Sequence, residues 1–171
     1  MAKSIQDVRG MASQPQTAWQ YEIEIVGLST GSEEGLTVRA QSASIPTTSN
    51  EAFEINFKDR RTFFKGRDTS PHTISITFFD SEDWVAYNYF QEWHDALISN
   101  PVSGGGVTSA LYKATVLVKT FSTDGETITS TTTLKNAFPT EIGEISLSYD
   151  TSENITFDVT MQFDQKLFEA A

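Results

Sequence analysis

Residues 134–165 read LKNAFPTEIGEISLSYDTSENITFDVTMQFDQ, and this stretch decides the fold class. Ile145, Leu147 and Tyr149 alternate with Ser146, Ser148 and Asp150. After a polar turn, Ile155, Phe157, Val159, Met161 and Phe163 alternate with Thr156, Asp158, Thr160, Gln162 and Asp164. Period-two alternation over two adjacent runs predicts an antiparallel hairpin with one face buried and the other wet. Phe138-Pro139-Thr140 ahead of it predicts extended backbone, because a residue before proline is pushed out of the α region.

Working outward, the same alternation recurs. Trp19, Tyr21, Ile23 and Ile25 share one face and Gln20, Glu22 and Glu24 the other, which predicts a strand with the first set buried. Gly27 to Gly35 reads as a loop and Leu36 to Ser44 as a weaker strand. Phe53, Ile55 and Phe57 alternate with polar residues, then a basic loop follows. Thr73 to Phe79 (TISITFF) is another strand. A single long helix is predicted from about Ser81 to Ile98, capped by Asp80 or Ser81, with Ala86, Tyr89, Phe90, Trp93, Ala96 and Leu97 at helical spacing. That aromatic stripe reads as a helix covering a sheet rather than as a ligand site. Asn100 to Ala110 reads as a flexible Gly-rich loop, Leu111 to Phe121 and Glu126 to Leu134 as strands joined by a turn at Asp124-Gly125. The tail after Gln165, KLFEAA, shows no partner. The count is about seven or eight strands and one helix. The expectation is a mainly β fold, an antiparallel β-sandwich or small β-barrel with one flanking α-helix. Residues 1–17 form an extended N-terminal arm and residues 18–171 a single domain.

Charge narrows the function classes. The chain has 171 residues, a formal net charge of −11 and no cysteine. Disulfides and thiolate chemistry are excluded, and sequence-independent nucleic-acid binding through Lys and Arg is disfavoured. No run of about 18 apolar residues is present, so no membrane span is expected. Residues 1–16 lack the apolar core of a secretory signal. His72 and His94 lie in no metal-ligand spacing, and Gly104-Gly105-Gly106 is not followed by the Lys-Ser or Lys-Thr of a phosphate loop. No catalytic, cofactor-binding or metal-binding residue is predicted, no cofactor is expected, and an enzyme is the weakest class. The charge is unevenly spread: Lys58, Arg60, Arg61, Lys65 and Arg67 fall within ten positions, whereas residues 136–171 are strongly acidic. An acidic end and a basic stretch favour head-to-tail association between copies; a solvated basic loop is the plain alternative.

The ordered set TISITFFDSED, the aromatic helix FQEWHDAL, a Gly-rich loop with a hairpin, and NAFPTEIGEISLSYD followed by ITFDVTMQFD resembles the tail tube proteins of contractile-tailed bacteriophages. Phe138 to Ile145 (FPTEIGEI) is its most specific element, and Tyr21 to Ile25 and Ala40 to Pro46 resemble the family's first two strands. The resemblance covers most of positions 18–164. It implies hexameric rings of β-barrel-like subunits stacked into a hollow tube inside a contractile sheath, with sheets of neighbouring subunits joined edge to edge around the lumen. The implied partners are further copies of the chain, the tail sheath protein, and baseplate and tail-terminator proteins. Double-stranded DNA would pass without specific binding. The implied location is the virion tail, after assembly in the host cytoplasm.

From this follow two sets of expected positions. Asp158, Asp164, Thr156 and Thr160 on the wet face of the C-terminal hairpin are candidates for a lumen wall that does not hold DNA. Lys58, Arg60, Arg61, Lys65 and Arg67 are candidates for contacts between subunits. Two other readings remain open: an inner tube of a phage-derived injection device (a tailocin, extracellular or type VI-like apparatus), and a monomeric β-sandwich binding module. The last would need an exposed aromatic platform, whereas Trp19, Trp84 and Trp93 fall mostly on faces predicted to be buried.

Overall fold

The computed structural model describes residues 16, 18–27, 34–37, 39–100, 105–147 and 154–170. The long strand β9 (Ile128–Ile142) organises it, because it takes part in two sheets. Its first half pairs on one edge with β8 (Ala114–Phe121), which pairs in turn with β1 (Tyr21–Val26). On its other edge lies β11 (Gln165–Ala170), so the tail without a predicted partner is a paired strand. These strands form sheet I. The second half of β9 pairs with β10 (Thr156–Gln162), then come β5 (Thr73–Phe79) and the short β2 (Ala40–Ala43), making sheet II. All pairings are antiparallel.

Alternation decides which faces meet. Ile23, Ile25, Val116, Val118 and Leu134 from sheet I join Ile74, Ile76, Phe78, Phe157, Val159 and Met161 from sheet II in one core. The helix α2 (Val85–Ala96) adds Ala86, Tyr89, Phe90 and Trp93 to that core. Each such large side chain contributes about 1.5–3 kcal/mol by leaving water. The Tyr21 hydroxyl donates to the carbonyl of Ala40 (3.3 Å), bringing the outer strand of one sheet against the outer strand of the other. The mainly β sandwich with a flanking helix is therefore the observed architecture, with two four-residue helices added, α1 (Glu34–Thr37) and α3 (Ser109–Tyr112).

The decisive hairpin is half right. β10 is the predicted second strand, but its partner is residues 138–142 of β9, not residues 145–149. Residues 143–147 leave the ladder, and Leu147 is 73% exposed; Tyr149 lies outside the described residues. Gly143 makes the last contact in register: its N–H donates to the carbonyl of Asp158 (2.7 Å), and a Cβ there would stand 3.0 Å from that same oxygen. Pro139, which has no N–H, falls where the register shifts between Thr160 and Met161, a position that tolerates a missing donor.

Other boundaries also move. The helix starts at Val85 rather than Ser81, and Asp80 caps it from outside by accepting from the N–H groups of Ala86 (3.3 Å) and Tyr87 (2.8 Å). The predicted strand from Leu36 shrinks to Ala40–Ala43, since Glu34–Thr37 is helical. In the predicted Gly-rich loop, Gly105–Gly106 (β7) pairs with Ile98–Asn100 (β6), and α3 follows. Trp19 is 75% exposed, against expectation, because β1 begins only at Tyr21. The predicted arm, apart from Gln16, lies outside the described residues.

Among the described residues, the buried hydroxyl of Thr132 is left without a partner. Thr132 sits inside the sandwich at 1% exposure and its hydroxyl makes no hydrogen bond. Valine keeps the shape and removes the stranded hydroxyl. Thr132→Val is expected to raise stability by about 1 kcal/mol, read as a higher urea midpoint at unchanged slope.

Candidate functional site

Two surfaces stand out. The first is the wet face of sheet II. Its strands β2, β5, β10 and residues 138–142 contain no lysine or arginine at all. Thr156, Asp158 and Thr160 lie together on it, opposite Phe79, Thr77 and Ser75 of β5. A chain of side-chain bonds crosses three strands: Ser42 donates to Thr77 (2.9 Å), and Thr77 donates to Asp158 (2.6 Å). Glu141 stands beside Thr160. Residues 141–144, 146, 147, 154 and 155 border a groove of about 1380 Å³ over this face. The surface is thus short hydroxyls and carboxylates on a rigid sheet. Among the described residues, no group of three or more His, Asp or Glu side chains is placed to hold a metal.

Asp164 does not share this face. It sits at the corner where β10 ends and β11 begins, accepting from the Lys113 amine (2.8 Å) and the Asn136 amide (3.0 Å). Asn136 has φ 59, so β9 turns its own corner at the same place. The Lys113 bond first, and the Asn136 bond second, hold the Asp164 carboxyl below the usual carboxylate range. A depressed folded value means that its stabilisation is complete above the unfolded value near pH ~4 and is lost as pH falls below it. Asp164→Asn is therefore expected to flatten the loss of stability below pH ~4, followed by urea midpoints across an acid series beside wild type.

The second surface is a hairpin that sequence reading gave as a strand and a basic loop. It is two strands, β3 (Asn50–Phe57) and β4 (Arg60–Asp68), joined at Lys58-Asp59. The cations are therefore on a strand and its turn. Every residue of β3 is exposed, and all of β4 except Gly66. Gly66 is needed for approach: a Cβ there would meet the Glu51 carbonyl oxygen at 2.9 Å. Directly paired residues share a face, so Phe53 and Phe64, Ile55 and Thr62, and Phe57 and Arg60 lie together. The Phe53 and Phe64 rings stack at 5.6 Å. The opposite face carries Glu54, Phe63, Arg61 and Lys65. Arg61 approaches Glu54 at 3.5 Å and Lys58 lies 5.5 Å from the Phe57 ring centre; exposed pairs of this kind contribute roughly 0–1 kcal/mol.

Sequence reading grouped Thr156, Asp158 and Thr160, and the structure places Ser42, Ser75 and Thr77 on the same face beside them; the alternation in TISITFF carried a signal for the last two. It also counted Phe53, Ile55 and Phe57 as an ordinary strand face, whereas the apolar face of this hairpin is open.

Comparison with known proteins gives these surfaces a context. The family described as "Phage tail tube protein" matches residues 11–169. The tail tube protein gp19 of Enterobacteria phage T4 is 26% identical over 149 residues, covering 85% of this chain and 86% of the phage protein, and that of phage T6 matches equally. Among solved structures, the tube-terminating cap of the anti-feeding prophage superposes with a TM-score of 0.70 at 16% identity, covering 94% of this chain and 95% of that one. A chain of the sheath–tube complex of an extracellular contractile injection system gives 0.69 at 14% identity, with 99% and 100% covered; both show the same fold. With nearly the whole described sandwich inside the family match, the chain belongs to the phage tail tube protein family and is a structural tube subunit.

Proposed function

We propose that copies of this chain join through sheet II into hexameric rings, and that the rings stack into the hollow inner tube of a contractile phage tail. Sheet II has the form for this role. Among the described residues, β2 pairs on one side only, and residues 138–142 at the other side extend past the start of β8. Two open edges on one sheet favour closure into a continuous barrel, since a ring removes the unpaired backbone that edges present. The wet, cation-free face of that sheet is the observation that carries the reading. With this face inward, Thr156, Asp158 and Thr160 line the lumen, and Asp164 is reassigned to the corner of the subunit. Duplex DNA carries one charge per ~1.7 Å, so a wall without lysine or arginine gains no counterion-release attraction and lets the duplex slide. Lys58, Arg60, Arg61, Lys65 and Arg67, displayed on the open hairpin, are proposed as contacts between subunits. The sheath, baseplate and tail-terminator proteins are the proposed neighbours of the tube, and the virion tail, assembled in the host cytoplasm, its location.

Electron microscopy of the purified chain tests the assembly: hollow filaments or rings are expected, and a monodisperse monomer at every salt concentration would sink the reading in favour of a binding module. The wall is tested in virions through Asp158 alone, because Asp164 is tied to Lys113. Asp158→Lys is expected to slow genome ejection, and unchanged ejection kinetics would remove the inward assignment of this face.

A further inference from the structure

The hairpin has a root whose position is fixed. Thr69 donates its N–H to Ser49 (3.0 Å), the Lys166 amine reaches the carbonyl of Pro46 (2.5 Å), and Phe163 donates to the carbonyl of His72 (3.0 Å). The root therefore lies beside residues 163–166, where β11 begins. β11 runs away from it and ends with Ala170 opposite Ser130. At that far end of sheet I, Phe121 pairs with Ile128 and donates to the carbonyl of Gln20, which sets Trp19 next to them. Gln16 holds this edge by bonding Phe121 (2.5 Å) and Thr129 (3.1 Å). Root and far end are separated by six residues of strand, about 20 Å.

That far end is exposed and apolar, with Trp19 at 75% and Ile128 at 38%. Its rim is acidic. Asp124 and Glu126 occupy the turn, Glu169 lies on β11, and neither residues 121–130 nor 167–170 contain a lysine or arginine. The hairpin is its complement: an aromatic face that also carries Arg60, with Lys58 at the turn beside Phe57. An exposed tryptophan beside an acidic rim is what an aromatic, cationic partner covers well.

We propose that the Trp19–Ile128 end of sheet I is the socket for the β3–β4 hairpin of a second copy of this chain. The ring face of Phe53, Phe57 and Phe64 covers Trp19, and Arg60 and Lys58 at its edge meet Asp124 and Glu126. Plug and socket lie at opposite ends of sheet I and are different surfaces, so the contact is heterologous and propagates from copy to copy instead of closing as a dimer. This rests on the tube reading and adds where on the next copy the hairpin lands.

The chain has no cysteine, so an engineered pair reports cleanly. A chain carrying both Asp59→Cys and Ala18→Cys, oxidised while assembled, is expected to give a ladder of disulfide-linked multimers, whereas each single-cysteine chain stops at dimers. Trp19→Ala, at an exposed position, is expected to melt like wild type yet need at least ten-fold more protein to assemble. Filaments without a ladder, or Trp19→Ala assembling at the wild-type concentration, would overturn the socket and leave the tube intact. Neither filaments nor ladder would overturn the tube reading and the socket with it.

Discussion

Asp80→Ala is expected to destabilise the fold by about 3–5 kcal/mol, measured by urea denaturation. The Asp80 side chain is fully buried and pairs with Arg39 at 2.6 Å. It also accepts from the N–H groups of Ser81, Ala86 and Tyr87. One carboxylate thus answers a partly buried cation and the free donors at the start of α2. Removing it leaves Arg39, only 18% exposed, without its counter-charge. The cost lies in that uncompensated charge rather than in the pair itself, so adding Arg39→Met to Asp80→Ala should recover part of the loss. If the double variant were less stable than Asp80→Ala alone, the unpaired charge would not be the cause.

Trp93→Ala should cost about 3–5 kcal/mol, through a different mechanism. Trp93 is at 0% exposure, stacks against Phe90 at 6.2 Å and meets Tyr89 edge-on. Its indole N–H donates to the carbonyl of Tyr112 (2.7 Å), tying α2 to α3 at the start of β8. Truncation opens a large cavity and strands that carbonyl together. Trp93→Phe keeps most of the volume and loses the bond, so it should fall between wild type and Trp93→Ala. Equal losses in Phe and Ala would place the whole effect on the hydrogen bond.

Where alternation was backed by burial on one face, the sequence was readable. β1, β5, α2 and β10 all lie where their periodicity puts them, because each has one face in a common core. Residues 145–147 alternate equally well and lie outside the strands, since β10 takes residues 138–142 as its partner and that choice is tertiary. β11 was hidden because its six residues bury little: Phe168 is 62% exposed, and the strand is held by backbone pairing with β9. The same limit applies to the site. Thr156, Asp158 and Thr160 are neighbours along one strand and could be grouped from sequence. Ser42 and Thr77 could not, because Thr77 reaches Ser42 across 35 positions and Asp158 across 81. Asp164 was misplaced for a related reason. It continues the polar alternation of β10, but the strand breaks at that residue and its carboxylate turns to Lys113. The hairpin was obscured by its own composition, as a face of Phe and Ile reads like core whether or not anything covers it.

The separation of Thr77 and Asp158 also sets a clock. β10 lies between β5 and β9 and is among the last strands made. At ~5–20 residues per second, the 81 residues between those two positions take roughly 4–16 s to synthesise. Throughout that interval β5 and β2 can pair only with each other, and sheet II is incomplete. Under the proposed assembly through sheet II, a nascent chain would have no complete sheet to offer a neighbour until it is nearly finished, and strand order would hold polymerisation back from the ribosome.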